Sequence, residues 1–178
     1  MSALPPLTLT QYAWEGKDLF PAWSGLQSRG GAYASVDDSE PSDGRASVDV
    51  SPPGGVEAAR PPAPEQEAAY RHLKENDAAI RDAALPAILE YAQELMVDDE
   101  SLPTDLDALR GMVGLGTVHV LDVAKNGLAY VGLELGCDWD EEHGCGVLTH
   151  AGRIVEVGDA DTSFLGWIAE RDGGAVLA

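Results

Sequence analysis

Apolar side chains recur at three- and four-residue steps from Glu65 to Leu95, through Tyr70, Leu73, Ile80, Ala84, Ile88, Tyr91 and Leu95. That period predicts a helix with one buried face. Pro64 suits its entrance, because the first-turn amides have no intrahelical partner to lose. Pro86 falls inside the pattern, where it lacks an amide donor and its ring meets the carbonyl of Asp82. A kink, or a second start near Asn76-Asp77, is therefore expected, giving two segments that share one buried face.

The flanking regions follow a two-residue period instead. Leu7 to Trp14 alternates in a β-rich composition and predicts a strand, followed by a turn at Glu15-Gly16-Lys17. Leu19, Phe20 and Trp23 are large and apolar, but Pro21 and Gly25 restrict this stretch to a short strand or a loop. Further strands are expected at Ala32 to Val36 and Ala46 to Val50, separated by an acidic, Ser-rich turn from Asp37 to Gly44 and completing an N-terminal antiparallel meander. Ser51 to Pro64 is rich in Pro, Gly and Ala without periodicity, and reads as a flexible connector inside a single domain spanning 1–178.

After the helix, Gly111 to Gly116 reads as a loop entering a strand that holds Val118, Val120 and Val123. Lys125-Asn126-Gly127 then joins it to a strand from Leu128 to Leu135, Asn-Gly being tolerant of positive φ at both central turn positions. Val147 to Thr149 and Ile154 to Val157 flank His150-Ala151-Gly152-Arg153, a second hairpin. The expected fold is α+β: an antiparallel sheet built from N-terminal and C-terminal hairpins, packed against a long kinked helix or a helix pair.

Charge narrows the choice of partner. Eleven Lys and Arg against 31 Asp and Glu leave a formal charge of −20. Phosphate backbones and anionic lipid should repel such a chain, so neither nucleic acid nor membrane is an expected partner, and a basic protein is. Between Asp82 and Asp107 stand eight acidic residues and no Lys or Arg, including Glu90, Glu94, Asp98, Asp99 and Glu100. These form either a solvated helix face with an exposed loop or a surface that docks a basic partner. The first twenty residues hold no basic start followed by an apolar run, and only Cys137 and Cys145 could pair. A cytoplasmic protein with free thiols is expected.

The densest chemistry runs from Cys137 to Gly146, on a loop between two strands. Cys137, His143, Cys145 and His150 are zinc-type ligands, but seven residues separate the cysteines, unlike the short spacing of structural sites. Asp138, Asp140, Glu141 and Glu142 could hold a hard cation, yet the spacing of a calcium loop is missing. Glu142 beside His143 offers acid–base chemistry, although neighbours on a strand point oppositely. A structural reading competes with all three. In it Trp139 anchors the loop in the core, Asp140 or Glu142 accepts backbone amides, His143 is a hydrogen-bonded turn residue, and Gly144 and Gly146 supply unusual dihedrals. His72 and His119 stand alone on helix and strand patterns and read as surface or satisfied core histidines. No nucleophile elbow, phosphate loop or dinucleotide fingerprint is present, so neither catalysis nor a cofactor is expected.

Trp139-Asp140-Glu141-Glu142-His143-Gly144, Gly146-Val147-Leu148 and the later Gly158-Asp159-Ala160-Asp161 resemble a bacterial domain-of-unknown-function family with a W-D-x-E-H-G-x-G-V segment and a G-x-A-D segment. Pro64 to Ile80, with Gln66, Ala69, Tyr70 and Asn76, is similar to that family's helix. Cys145 departs from the apolar residue the family pattern leads one to expect there. The resemblance implies no catalytic residues. Some members resemble cytosolic immunity partners of secreted toxins, which implies a binding protein that masks a basic surface.

The expected function is accordingly that of an acidic binding protein, of immunity type, docking through Glu90, Glu94, Asp98, Asp99, Glu100, Asp138, Asp140, Glu141 and Glu142. The alternative is a metal-binding protein or metal-dependent enzyme that uses the Cys137–His150 region.

Overall fold

The structure is a computed structural model that describes residues 3–28, 41–95 and 102–173, with the backbone of 175–176. The expected strand at Ala32 to Val36, the first half of the acidic turn after it, and Asp98, Asp99 and Glu100 lie outside the described residues. The architecture is α+β. Seven strands form one mixed sheet in chain order: β1 (Thr8–Leu9), β2 (Trp14–Leu19), β3 (Arg45–Val50), β4 (Val113–Lys125), β5 (Leu128–Cys137), β6 (Cys145–His150) and β7 (Arg153–Gly158). A short β8 (Ala175–Val176) pairs with β4 at Val123 and Ala124. Among the described residues the helices are α1 (Pro64–Glu75), α2 (Asp77–Glu94), α3 (Leu106–Arg110) and α4 (Gly166–Arg171).

Four sequence expectations are corrected. Glu15-Gly16-Lys17 is not a turn but the middle of β2, paired with Asp49, Val48 and Ser47. Gly16 serves close packing: a Cβ there would lie 2.6 Å from the Pro6 carbonyl oxygen, so only glycine lets the N-terminal segment cross the strand. The turn falls instead at Thr10 to Ala13, where the Thr10 hydroxyl oxygen accepts the Tyr12 amide at 3.1 Å, and it splits the expected Leu7–Trp14 strand. The Gly111 to Gly116 loop is already strand from Val113 onward.

The fourth correction is to the sheet, which is not wholly antiparallel: Ser47 to Val50 of β3 run parallel to Thr117 to Val120 of β4. The chain between them leaves the sheet through α1 and α2, and such a crossover returns it in the same direction. Both C-terminal hairpins form as expected. Asn126 and Gly127 take φ of 53° and 79°, and Ala151 and Gly152 take 50° and 78°.

The helical pattern resolves into a pair that breaks at Asn76, whose φ of −120° leaves the helix and whose side-chain amide donates to the His72 carbonyl at 2.8 Å. Pro86 is accommodated inside α2. Tyr70, Leu73, Ile80, Ala84 and Ile88 are buried against Val48, Val118, Val131, Leu133 and Val147. Each large aliphatic side chain removed from water there contributes about 1.5–3 kcal/mol. Gln66 is fully buried at the start of α1. Its carbonyl accepts the Ala63 amide at 2.8 Å, and its NH2 donates to Ser51 and Leu121 carbonyls at 2.8 and 3.0 Å, pinning the helix entrance to β4.

The other face of the sheet positions the site. Leu121, Val123, Tyr130 and Leu148 form a smaller core there with Ile168 and Ala169 of α4. Beside them the 3₁₀ turn Ala160–Ser163 lies directly on β5, β6 and β7, at positions occupied by glycine. A Cβ on Gly132 would fall 1.6 Å from the Ser163 carbonyl oxygen; on Gly146, 2.5 Å from the Asp159 oxygen; on Gly158, 2.5 Å from the Thr162 hydroxyl.

Candidate functional site

Because the 3₁₀ turn rests on bare backbone, the side chains around it frame a cleft of about 300 Å³ lined by Glu134, Glu142, His143, Asp159, Ala160, Asp161 and Phe164. Glu134 comes from β5, Glu142 and His143 from the β5–β6 loop, and the rest from the segment after β7. Among the described residues the lining holds four carboxylates, one imidazole and one aromatic ring, and no Lys or Arg. The Ala160 amide donates to the His143 carbonyl at 2.9 Å, locking the two loops together.

The β5–β6 loop is built as a turn. The Asp140 carboxylate accepts the His143 backbone amide at 2.9 Å and its Nδ1–H at 3.0 Å, and Gly144, at φ 63°, donates its amide to the Asp140 carbonyl. Asp140, not Glu142, is therefore the carboxylate that orients His143. This bond and the charge of Asp140 raise the His143 pKa above its ordinary value, against a small opposing effect of desolvation and with help from Asp159 and Glu142. Among the described residues Nε2 of His143 has no hydrogen-bond partner and is available to a ligand. Trp139 is half-buried and packs against the main core, its indole nitrogen without a partner among the described residues. Gly144 and Gly146 are buried, and Gly146 is one of the three contact glycines.

Behind the cleft a histidine spans two strands. His119 Nε2 donates to Glu134 at 2.7 Å, its Nδ1 is 3.9 Å from Asp49, and its ring centroid is 5.1 Å from that of Phe164. Asp49 and His119 are direct register partners on β3 and β4. Burial pushes the Asp49 carboxyl up; His119 pulls it down, and Glu15 and Glu134 add to the rise. His119 is thus a satisfied, largely buried strand histidine, as expected, and it buttresses Glu134 in the cleft wall.

The expected partner-binding residues divide. Glu142 lines the cleft and Glu141 is exposed beside it. Asp140 orients His143, while Asp138 accepts from the Gln27 side chain at 2.8 Å and holds the loop to the chain ahead of the α1–α2 pair. Glu90 and Glu94 are exposed on α2, whose Tyr91 hydroxyl donates to Asp159 at 2.9 Å, so the end of this helix borders the cleft. Burial, then that bond, raise the Tyr91 pKa.

The zinc-type residues are not brought together. Cys137 and Cys145 are buried in the main core, where Cys137 Sγ donates to the Asp140 carbonyl at 3.5 Å and burial raises the Cys145 thiol well above its ordinary value. His150 lies at the far end of β6, about 16 Å along the strand, with Nε2 bonded to the Lys125 and Leu128 carbonyls. Among the described residues no three or more His, Cys, Asp or Glu side chains are arranged to hold a metal ion. No helix among them is long and apolar enough to cross a membrane.

Sequence reasoning missed Glu134, Asp159, Asp161, Phe164 and the His119 buttress. Only Asp159 and Asp161 carried a signal, as part of the G-x-A-D segment.

Fold and cleft together define an α+β protein with a mixed seven-stranded sheet and an acidic, aromatic-walled cleft at one end. A family described as "Domain of unknown function (DUF6985)" matches residues 44–165, from the edge of β3 to just past Phe164, and the chain belongs to that family. Every residue that lines the cleft falls inside the matched span. No curated protein and no solved structure matches the chain.

Proposed function

We propose that the protein is a cytoplasmic binding protein that docks a cationic protein partner on its acidic cleft. It acts as an immunity protein acts on a toxin, covering a basic surface the partner needs for its own activity, and it does no chemistry itself. One observation carries this reading: four carboxylates from three separate segments converge on one concave site that, among the described residues, no Lys or Arg lines. Scattered surface acids serve solubility, whereas acids gathered in a cleft focus the field on an incoming cation. Glu90, Glu94 and Glu141 extend the negative field around the rim. Such complementarity raises the association rate and excludes wrong partners more than it sets the final affinity.

Affinity capture from the native host, with the neighbouring gene products expressed, tests the reading. The expected result is a stoichiometric cationic polypeptide that leaves the protein as salt rises. Capture of none, or of one that salt does not affect, overturns it.

A further inference from the structure

We infer that the cleft is a receptor for a single arginine side chain of the partner, an anchor residue whose guanidinium is held by carboxylates and rests on the Phe164 ring. This rests on the protein-binding reading above and adds the chemistry of the group that enters.

Three observations favour it. First, the cleft has the wrong form for a metal ion. About 300 Å³ is the lower end of the range for organic ligands, roughly 300–1,000 Å³, and its carboxylates do not converge as ligands on one point. The charge is spread round a cavity large enough for a side-chain head.

Second, one wall is aromatic. Phe164 is 46% exposed, although burying it would release apolar surface, and the His119 ring packs against it at 5.1 Å. A cation set over such a ring is attracted by the ring quadrupole, and arginine gains more than lysine because its planar group stacks.

Third, the same chain builds this clamp twice more and fills it each time with its own cation. Arg171 sits 5.0 Å from the Trp167 ring centre and is ion-paired with Glu156. Lys74 sits 4.6 Å from the Phe20 ring centre and 3.0 Å from Asp18. Phe164 with Glu134 and Asp161 repeats the aromatic-plus-carboxylate arrangement, and among the described residues no Lys or Arg lines it. The guanidinium has five donors in a fixed plane, enough to address carboxylates on two walls together; an ammonium is a single point of charge.

The test uses the full chain, ¹⁵N-labelled, titrated with blocked arginine (N-acetyl-arginine methylamide), blocked lysine and blocked citrulline, the amides of His143, Ala160 and Phe164 being followed by NMR. The expected result is saturable shifts with arginine, binding about fivefold weaker for lysine, and none for uncharged citrulline. Phe164→Leu should remove the preference for arginine over lysine, and Asp161→Asn should weaken both; each changes an exposed side chain, and an unchanged amide spectrum elsewhere verifies the fold. Equal binding of lysine and arginine, or retention of the preference in Phe164→Leu, overturns the inference. If host capture yields a cationic partner but blocked arginine leaves the cleft amides unmoved, the anchor is wrong while protein binding stands. If capture yields nothing, the underlying reading fails first.

Discussion

Gly132 in β5 and Ser163 at the end of the 3₁₀ turn touch backbone to backbone, so closely that a methyl group on Gly132 would stand 1.6 Å from the Ser163 carbonyl oxygen. The cleft exists because of this contact and its neighbours at Gly146 and Gly158. Gly132→Ala should lift the 159–164 segment, lowering stability by about 1–3 kcal/mol and shifting the amides of Asp159 to Phe164. Urea unfolding together with an amide spectrum checks both; an unperturbed segment would contradict the account.

Asp140 sets the protonation of His143. Asp140→Asn removes the charge and weakens the bond, so the pKa of His143 should fall toward its ordinary 6.5, as read from the ring protons during a pH titration. The sign for stability follows: a raised folded pKa contributes below pH 6.5, and that contribution disappears as pH rises through the folded value. Protonated His143 also adds a positive charge to the cleft wall, so cation binding should strengthen as pH rises through the same point. An unchanged titration in Asp140→Asn would contradict this assignment.

Asp172, just beyond α4, gathers the hydroxyl of Tyr130 at 2.8 Å with Arg153 and Lys125. The Tyr130 bond first, then the bond and charge of Arg153 and the charge of Lys125, overcome desolvation and hold the carboxyl at about 2. A depressed folded pKa contributes stability above the ordinary 3.8, and the contribution is lost as pH falls toward about 2. Tyr130→Phe should raise the Asp172 pKa and shrink the loss of stability over that acid range. Chemical denaturation at stepped pH checks it.

Gln66 is a buried polar residue whose bonds hold the entrance of α1. Gln66→Leu would leave the half-buried Ser51 carbonyl and the buried Leu121 carbonyl without this donor and free the Ala63 amide. A loss of about 2–4 kcal/mol is expected in urea unfolding, each stranded buried group costing about 1–3 kcal/mol. A loss below about 0.5 kcal/mol would mean that other groups satisfy those carbonyls.

Sequence periodicity carried the elements further than it carried their arrangement. Asn126-Gly127 and Ala151-Gly152 announced their hairpins because positive φ is a local demand. The break at Asn76 could be anticipated from the proline and the Asn-Asp pair. The parallel pairing of Ser47 to Val50 with β4 could not, since a strand does not record which way its distant neighbour runs. Gly16 was misread as a turn because its need for a missing side chain comes from Pro6 across the strand. The cleft was hidden for the same reason. Glu134 and Asp161 are 27 positions apart in the chain and meet only through sheet register and the three contact glycines. The Asp140–His143 turn, by contrast, was legible as a local device, with Asp140 as one of two acceptors open to it.

The most direct measurement is a side-by-side capture from host extract on immobilised wild type and on a Glu134→Gln, Glu142→Gln, Asp161→Asn variant, the eluates compared by mass spectrometry. One cationic polypeptide should be enriched on the wild type, released by moderate salt and lost from the variant. Equal recovery on both surfaces would contradict it, because the acidic cleft would then be no part of what the protein recognises.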